Sequence, residues 1–188
     1  MEVLAEMETT IHGNNRGVCI WLTGLSGAGK TTISIPLVER LRAMGCRVQR
    51  LDGDIVREKL TPDLGFTKED RDKNIERVTF VAELLVKHGV ITVCAFISPY
   101  KAERQYVRKE TGKFVEVFVK CPLKVCEERD VKGMYAKART GEIKNFTGIS
   151  DPYEIPENAE IIVDTSLMTL DDEVDTIIDY LRENEYIL

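Results

Sequence analysis

Short apolar, β-branched runs alternate along this chain with longer segments whose apolar residues recur at helical spacing. Runs at 18–22, 47–51, 91–96, 114–119 and 160–163 predict five strands. The first reads as a buried strand. The third is nearly all apolar and β-branched, as expected of a central parallel strand. Between them the pattern predicts helices. One follows the first strand and runs to Met44, closed by Gly45, with Pro36 predicting a kink or local break. A short helix covers 55–60. A third opens at Thr67, with Asp70 completing a capping box, and closes near Gly89; Ile75, Val78, Ala82 and Leu85 share its apolar face. A fourth runs from the turn Ser98-Pro99-Tyr100 to about Gly112. The last covers 169–186, with Leu170, Val174, Ile177, Ile178 and Leu181 forming a core stripe and not a binding surface. Strands alternating with helices imply a parallel sheet covered on both faces, a three-layer α/β/α architecture.

The 188 residues suffice for one well-buried domain or a domain with a mobile flap. No apolar run approaches membrane-spanning length. The net charge of −6 argues against a general nucleic-acid binder. Two histidines, with no Cys/His pairing at zinc spacing, give no metal-finger signal. Five cysteines are an odd number, three of them in or beside predicted strands, so buried free thiols are expected. The first fifteen residues carry Glu2, Glu6 and Glu8 without a basic cluster before an apolar core; they read as a loose tail, not a secretory signal.

Between the first strand and first helix lies Gly24-Leu25-Ser26-Gly27-Ala28-Gly29-Lys30-Thr31, followed by Thr32. It fits G-x-x-x-x-G-K-[ST] in the strand–loop–helix setting that pattern requires. Glycines let the backbone turn tightly and approach a phosphate chain. Successive N–H groups and the helix N-terminus then favour an anion. Lys30 is placed to reach the β- and γ-phosphates of a nucleoside triphosphate, and the Thr31 hydroxyl to ligate Mg²⁺. A switch protein of the GTPase type would carry a guanine-reading Asn-Lys-x-Asp element, and none is found. A kinase for a nucleoside or sugar acid stays open at this point.

Asp52 and Asp54 fall at the C-terminal edge of the second predicted strand, where ligands bind in open α/β sheets. One or both also fit as N-caps of the short helix. The strand at 91–96 ends without a carboxylate, so this pair is the nearest one for a metal. Arg71 and Asn74, three apart on a helix, share a face. From 129 to 148, Arg129, Lys132, Lys137, Arg139 and Lys144 alternate with Gly133, Gly141 and Gly148. Such a stretch reads as a lid over phosphates or, more plainly, as a solvated loop.

Taken together these motifs resemble the adenylylsulfate kinase (APS kinase) family. The matching stretches are the glycine loop through Thr32, Leu51-Asp52-Gly53-Asp54 with Arg57, Gly65-Phe66-Thr67 with Asp70-Arg71 and Asn74-Ile75, and Ile97-Ser98-Pro99-Tyr100. They continue with Pro122-Leu123, Cys126-Glu127, Arg129-Asp130 and Lys132-Gly133, then Phe146-Thr147-Gly148-Ile149 and Pro152-Tyr153-Glu154. Ala28 and Thr31 stand where serines are frequent, and Pro36 is unusual in that helix. The resemblance implies a P-loop kinase that moves the ATP γ-phosphate to the 3′-hydroxyl of adenylyl sulfate, with Mg²⁺. It implies that 24–32 and Arg129 hold ATP, that Asp54 lies by the 3′-hydroxyl with Asp52 assisting, and that Arg57, Arg71, Asn74, Ile97 and Ser98 grip adenylyl sulfate. Phe66 and Phe146 would sandwich its adenine, while Lys132 and Asn145 reach it from the lid. Ser98 matches a serine considered as a phosphoenzyme residue; direct in-line transfer is the reading preferred, because phosphoryl transfer mainly needs positioning and charge neutralisation. The expected organisation is a tail at 1–16 and one kinase domain at 17–188 with its lid at about 129–150. The family pattern further implies a cytoplasmic homodimer without a fused sulfurylase.

Overall fold

Each predicted strand forms, and parity decides which core its side chains enter. The computed structural model describes residues 16–188, so the expected tail lies outside the described residues except for Arg16. In chain order the elements are β1 Cys19–Thr23, α1 Lys30–Ala43, β2 Val48–Asp52, α2 Gly53–Lys59, α3 Lys68–Lys87 and β3 Ile91–Ala95. They continue with α4 Lys101–Thr111, β4 Phe114–Lys120, α5 Leu123–Arg129, α6 Met134–Arg139, β5 Ile161–Asp164 and α7 Leu170–Glu183. The sheet is parallel throughout, in the order β2-β3-β1-β4-β5. Ile20 and Leu22 of β1 point into a core with Ile33, Leu37 and Leu41 of α1 and Ile177, Ile178 and Leu181 of α7. Cys19 and Trp21 point the other way, onto Ile75, Val78 and Ala82 of α3 and Val107 of α4. Successive residues of a strand face opposite sides, so one five-residue strand serves both layers. This is the α/β/α sandwich expected.

The chain leaves β1 toward β2 on one side and leaves β4 toward β5 on the other. Such a reversal opens a crevice at the C-terminal ends of the strands.

Three local expectations need correction. Helix α1 is unbroken across Pro36. The carbonyl that this proline leaves without a donor belongs to Thr32, an exposed residue, while buried Ile33, Leu37 and Leu41 hold the helix to the sheet. Only half of the α3 capping box forms. Thr67 Oγ1 accepts from Asp70 N at 3.2 Å, but the Asp70 carboxylate lies against Gly65. The α7 stripe is core except at its start, where Leu170 is 38% exposed and lines the crevice.

All five cysteines are free thiols, and all but Cys46 are buried. Burial beside Cys121 pushes the Cys126 thiol up to about 12, which makes it inert at neutral pH.

Candidate active site

The loop after β1 is shaped by what its glycines avoid. Gly24 has φ +156°, and a Cβ there would stand 2.5 Å from the Val119 carbonyl oxygen. Gly29, the residue before α1, has φ +106°. No other residue type fits both demands. Lys30, the first residue of α1, turns back on the loop. Its Nζ donates to the carbonyls of Gly24 at 2.8 Å and Leu25 at 2.7 Å. Burial lowers its pKa to about 8, and the nearby carboxylates of Asp52 and Asp54 offset only part of the cost of desolvating the ammonium.

Asp52 ends β2 and does two jobs. Its Oδ1 accepts from Asp54 N at 3.1 Å, capping α2. Its Oδ2 accepts from Thr31 Oγ1 at 3.1 Å and from Arg50 at 2.9 Å. Capping and site chemistry are therefore not alternatives here. Asp54 caps nothing; its side chain is largely exposed and pairs with Lys132. An exposed ion pair of this kind is worth little, so a ligand can break it readily.

Across the crevice, Arg71 is buried and held through three of its five N–H groups. It donates to Phe66 O at 3.1 Å, Thr147 Oγ1 at 3.2 Å and Asn145 O at 2.7 Å. Arg57 donates to Gly65 O at 2.8 Å and lies 4.3 Å over the Phe66 ring. Its pKa is lowered by burial and by the neighbouring Arg71. Two guanidiniums held this close favour an anionic ligand. Asn74 accepts from Thr61 Oγ1 at 2.8 Å. Phe66 is 53% exposed, whereas Phe146 is 6% exposed and packs edge-on against Tyr135 at 5.0 Å.

Ser98 sits at φ +39°, unusual for a residue with a side chain. Its Oγ accepts from Trp21 Nε1 at 2.9 Å and donates to Thr23 Oγ1 at 3.0 Å. Thr23 donates in turn to Ile97 O at 2.8 Å and meets the Tyr153 hydroxyl at 2.9 Å. Arg104 clamps the strained turn from behind, donating to Ser98 O at 2.8 Å and Glu154 O at 2.7 Å. No carboxylate or histidine stands in this network to activate the serine.

These residues converge on one cavity of about 780 Å³. Ser26, Gly27, Gly29, Lys30, Thr31 and Thr32 form one wall, with Asp52 and Asp54 beside them. Arg57, Phe66, Arg71, Asn74, Ile97 and Ser98 line the far arm, and Arg129, Lys132, Asn145 and Phe146 come from the basic stretch. Gly24, Leu25 and Ala28 stand behind the lining, holding the loop's shape.

Comparisons with known proteins converge on one family. The family model described as adenylylsulphate kinase matches residues 16–164. The chain is 58% identical over 174 residues to the adenylyl-sulfate kinase of Halothermothrix orenii, covering 93% of this chain and 94% of that one. It is 64% identical over 162 residues to a probable adenylyl-sulfate kinase of Pseudomonas aeruginosa, covering 86% of this chain and 76% of that one. The chain belongs to the adenylylsulphate kinase family. Among solved structures, the APS kinase of Mycobacterium tuberculosis in complex with AMPPNP and APS superimposes with TM-score 0.85 at 40% identity, covering 89% of this chain and 98% of that one.

Within this APS kinase framework, sequence reasoning missed Arg50, Thr23, Arg104 and Thr165. Arg50 and Asp52 lie two apart on a strand and so share a face, a signal present in the sequence. Thr165 closes the loop's other side, donating to Ala28 O at 2.9 Å, and accepts from Arg129 through both Oγ1 and its carbonyl. Nothing in the sequence pattern marks it. No helix among the described residues is long and apolar enough to cross a membrane.

Proposed function

We propose that this chain is an ATP-dependent adenylylsulfate kinase, transferring the γ-phosphoryl group to the 3′-hydroxyl of adenylyl sulfate to give 3′-phosphoadenylyl sulfate and ADP. The observation that carries this reading is the continuity of the cavity. A phosphate loop at one end and the Arg57–Phe66–Arg71–Asn74 arm at the other share a single space, with Asp54 between them. The P-loop amides and Lys30 bind and orient the donor phosphates. Asp54 orients the acceptor hydroxyl and takes its proton. Arg57 and the remaining N–H groups of Arg71 hydrogen-bond the acceptor's anionic groups, while the bonds of Arg71 to Phe66, Asn145 and Thr147 hold that arm's shape. Phe66 and Phe146 bracket its base. Ser98 holds the Ile97–Pro99 turn in shape and forms no covalent intermediate, since its hydroxyl is already engaged at both ends.

Mg²⁺ fits the donor set. Thr31 and Asp52 supply hard oxygen donors beside the loop. Among the described residues no three acidic, histidine or cysteine side chains converge, which suits an ion that keeps waters and takes phosphate oxygens as ligands. Bound there, it would neutralise charge on the phosphates.

Residues 129–150 act as a lid in this reading, with Lys132 leaving Asp54 when ligand arrives; slowed hydrogen exchange there on nucleotide binding is expected, and unchanged exchange would reject it. Exposed Phe80 and Leu84, one turn apart on α3, support a homodimer face, tested by light scattering of Phe80→Asp. A cytoplasmic setting is supported by the free thiols.

The test of function is an ADP-release assay. Release is expected with adenylyl sulfate, and little with nucleosides or sugar acids. Absence of adenylyl-sulfate-dependent release would overturn the assignment.

A further inference from the structure

Beneath the acceptor arm lies a buried ion pair, Arg104 with Glu116. Ile97, Ser98 and Pro99 line that arm, and the turn they form passes through the φ of +39° at Ser98. A residue with a side chain stays in such a conformation only where its surroundings over-determine it. Two groups do so from below. The Trp21 indole holds the Ser98 side chain, and Arg104 holds its main chain by donating to the carbonyl at 2.8 Å. A second Arg104 nitrogen donates to Glu154 O at 2.7 Å, and Glu154 N donates to Pro99 O at 2.9 Å. One guanidinium thus ties the turn to the segment that follows the basic stretch.

Arg104, in the first half of α4, is 3% exposed. A cation that deep needs a partner. Glu116 supplies it, with Oε1 2.7 Å from Arg104 Nε. This glutamate is the single charged residue between Phe114 and Val119, a run otherwise apolar and buried like Glu116 itself. Strand register explains its place. Glu116 of β4 stands opposite Trp21 of β1, so the two side chains leave the sheet side by side. One reaches Ser98 directly and the other reaches it through Arg104. Arg108, one turn further along α4, has its own carboxylate in Glu160, at 2.6 and 2.8 Å. A buried ion pair adds little stability over apolar side chains of similar size, so stability does not account for this one. Orientation does: the pair sits on the Nε side of the guanidinium and turns both Nη groups toward the Ser98 and Glu154 carbonyls.

Resting on the kinase reading above, we propose that Arg104 and Glu116 are positioning residues for the acceptor. Glu116 aims the Arg104 guanidinium, and Arg104 sets the Ile97–Pro99 turn in the form that receives adenylyl sulfate.

The test joins acceptor kinetics to the fluorescence of Trp21, the only tryptophan in the chain, which reads the turn with or without substrate. Arg104→Lys keeps a cation for Glu116 but lacks the fork that reaches two carbonyls. It is expected to raise KM for adenylyl sulfate roughly tenfold, the effect of losing a hydrogen bond from a charged group. KM for ATP should stay within about twofold on the same scale, and Trp21 emission should shift. Arg104→Met combined with Glu116→Leu replaces the pair by apolar side chains, a change often neutral for stability, and should show the same KM rise and the same emission shift. A double variant that melts like the wild type with unchanged emission and unchanged KM for adenylyl sulfate would overturn the proposal. So would equal rises in both KM values, the mark of a general loosening, or early melting of both variants with acceptor KM unchanged. Absence of turnover with adenylyl sulfate in the wild type would instead sink the kinase reading, and Trp21 emission in the variants would still decide whether the pair sets the turn.

Discussion

The two arms of the cavity are built on different principles. The acceptor arm is made of side chains that hold one another: Arg71 ties Phe66, Asn145 and Thr147 together, Thr61 orients Asn74, and Trp21 and Thr23 pin Ser98. The donor arm is made of backbone, a glycine loop locked by Val119 behind it and Thr165 beside it, with few side chains turned inward. A phosphate chain is the same in every nucleotide, so amides and one lysine suffice to bind it. An acceptor must be distinguished from other metabolites, and that needs a rigid constellation of specific groups. Asp54 and Lys30 stand where the arms meet.

The largest effect should come from that meeting point. Asp54→Asn keeps the shape and, as Asp52 provides the cap, should leave stability almost unchanged. The rate should fall roughly 10²–10⁴-fold, the span for a positioned acid–base group, with nucleotide binding retained. An unchanged kcat in a steady-state assay would remove Asp54 from the chemistry.

Lys30→Ala should lower kcat by roughly 10²–10³-fold, comparable to losing one preorganised donor at a site of developing charge. The wild-type enzyme offers a milder version of the same experiment. Lys30 titrates at about 8 in the empty site. It is charged below that value and loses its charge as pH rises through it, so KM for ATP should climb above about pH 8. Bound phosphate stabilises the ammonium, so kcat should hold to higher pH than kcat/KM. Flat profiles from pH 7 to 9 would mean that the lysine is not desolvated in solution.

The two phenylalanines separate packing from recognition inside one arm. Phe146 is buried on Tyr135, and its replacement by alanine should cost roughly 3–5 kcal/mol of stability, read by denaturant unfolding. Phe66 is half in solvent, so Phe66→Ala should melt almost normally. If the ring stacks on the acceptor's base, worth roughly 1–3 kcal/mol, KM for adenylyl sulfate rises about tenfold while KM for ATP stays put. Equal substrate effects with equal melting would erase the distinction.

The smallest effect is expected at Ser98. Ser98→Ala unpairs the Trp21 indole and relaxes a turn, so activity should drop only partly, and wild-type protein given γ-labelled ATP alone should take up no stoichiometric label. A labelled serine would make the network around it a resting state of a nucleophile.

Much of this was legible in the sequence, and unevenly so. Strands and helices followed from periodicity, because β1 and β3 are apolar on both faces and α7 carries a clean stripe. The acceptor arm was legible because its residues cluster in short motifs, down to Asn145 and Phe146. Pro36 misled on a break because a local rule ignores the tertiary contacts that hold α1 together. Leu170 misled because the first turn of an amphipathic helix can end over a cavity while the pattern still reads as core. Arg104 reaches the Glu154 carbonyl and Thr165 that of Ala28, both far away in sequence, and no spacing records such partners.

Gly148 deserves a last look for what it allows the chain to become. It closes the basic stretch at φ +89°, and a Cβ there would stand 2.9 Å from Leu25 Cδ2 and 3.4 Å from Leu123 Cδ1. Leu25 belongs to the phosphate loop and Leu123 opens α5, so three stretches distant in sequence share one point of contact. Such positions drift only in concert. A library randomised at 148 alone should return glycine; one that also trims position 25 should admit asparagine, which tolerates the left-handed backbone, before it admits alanine. The heritable unit at this corner of the molecule is a trio, and a lineage that changes one member commits the other two.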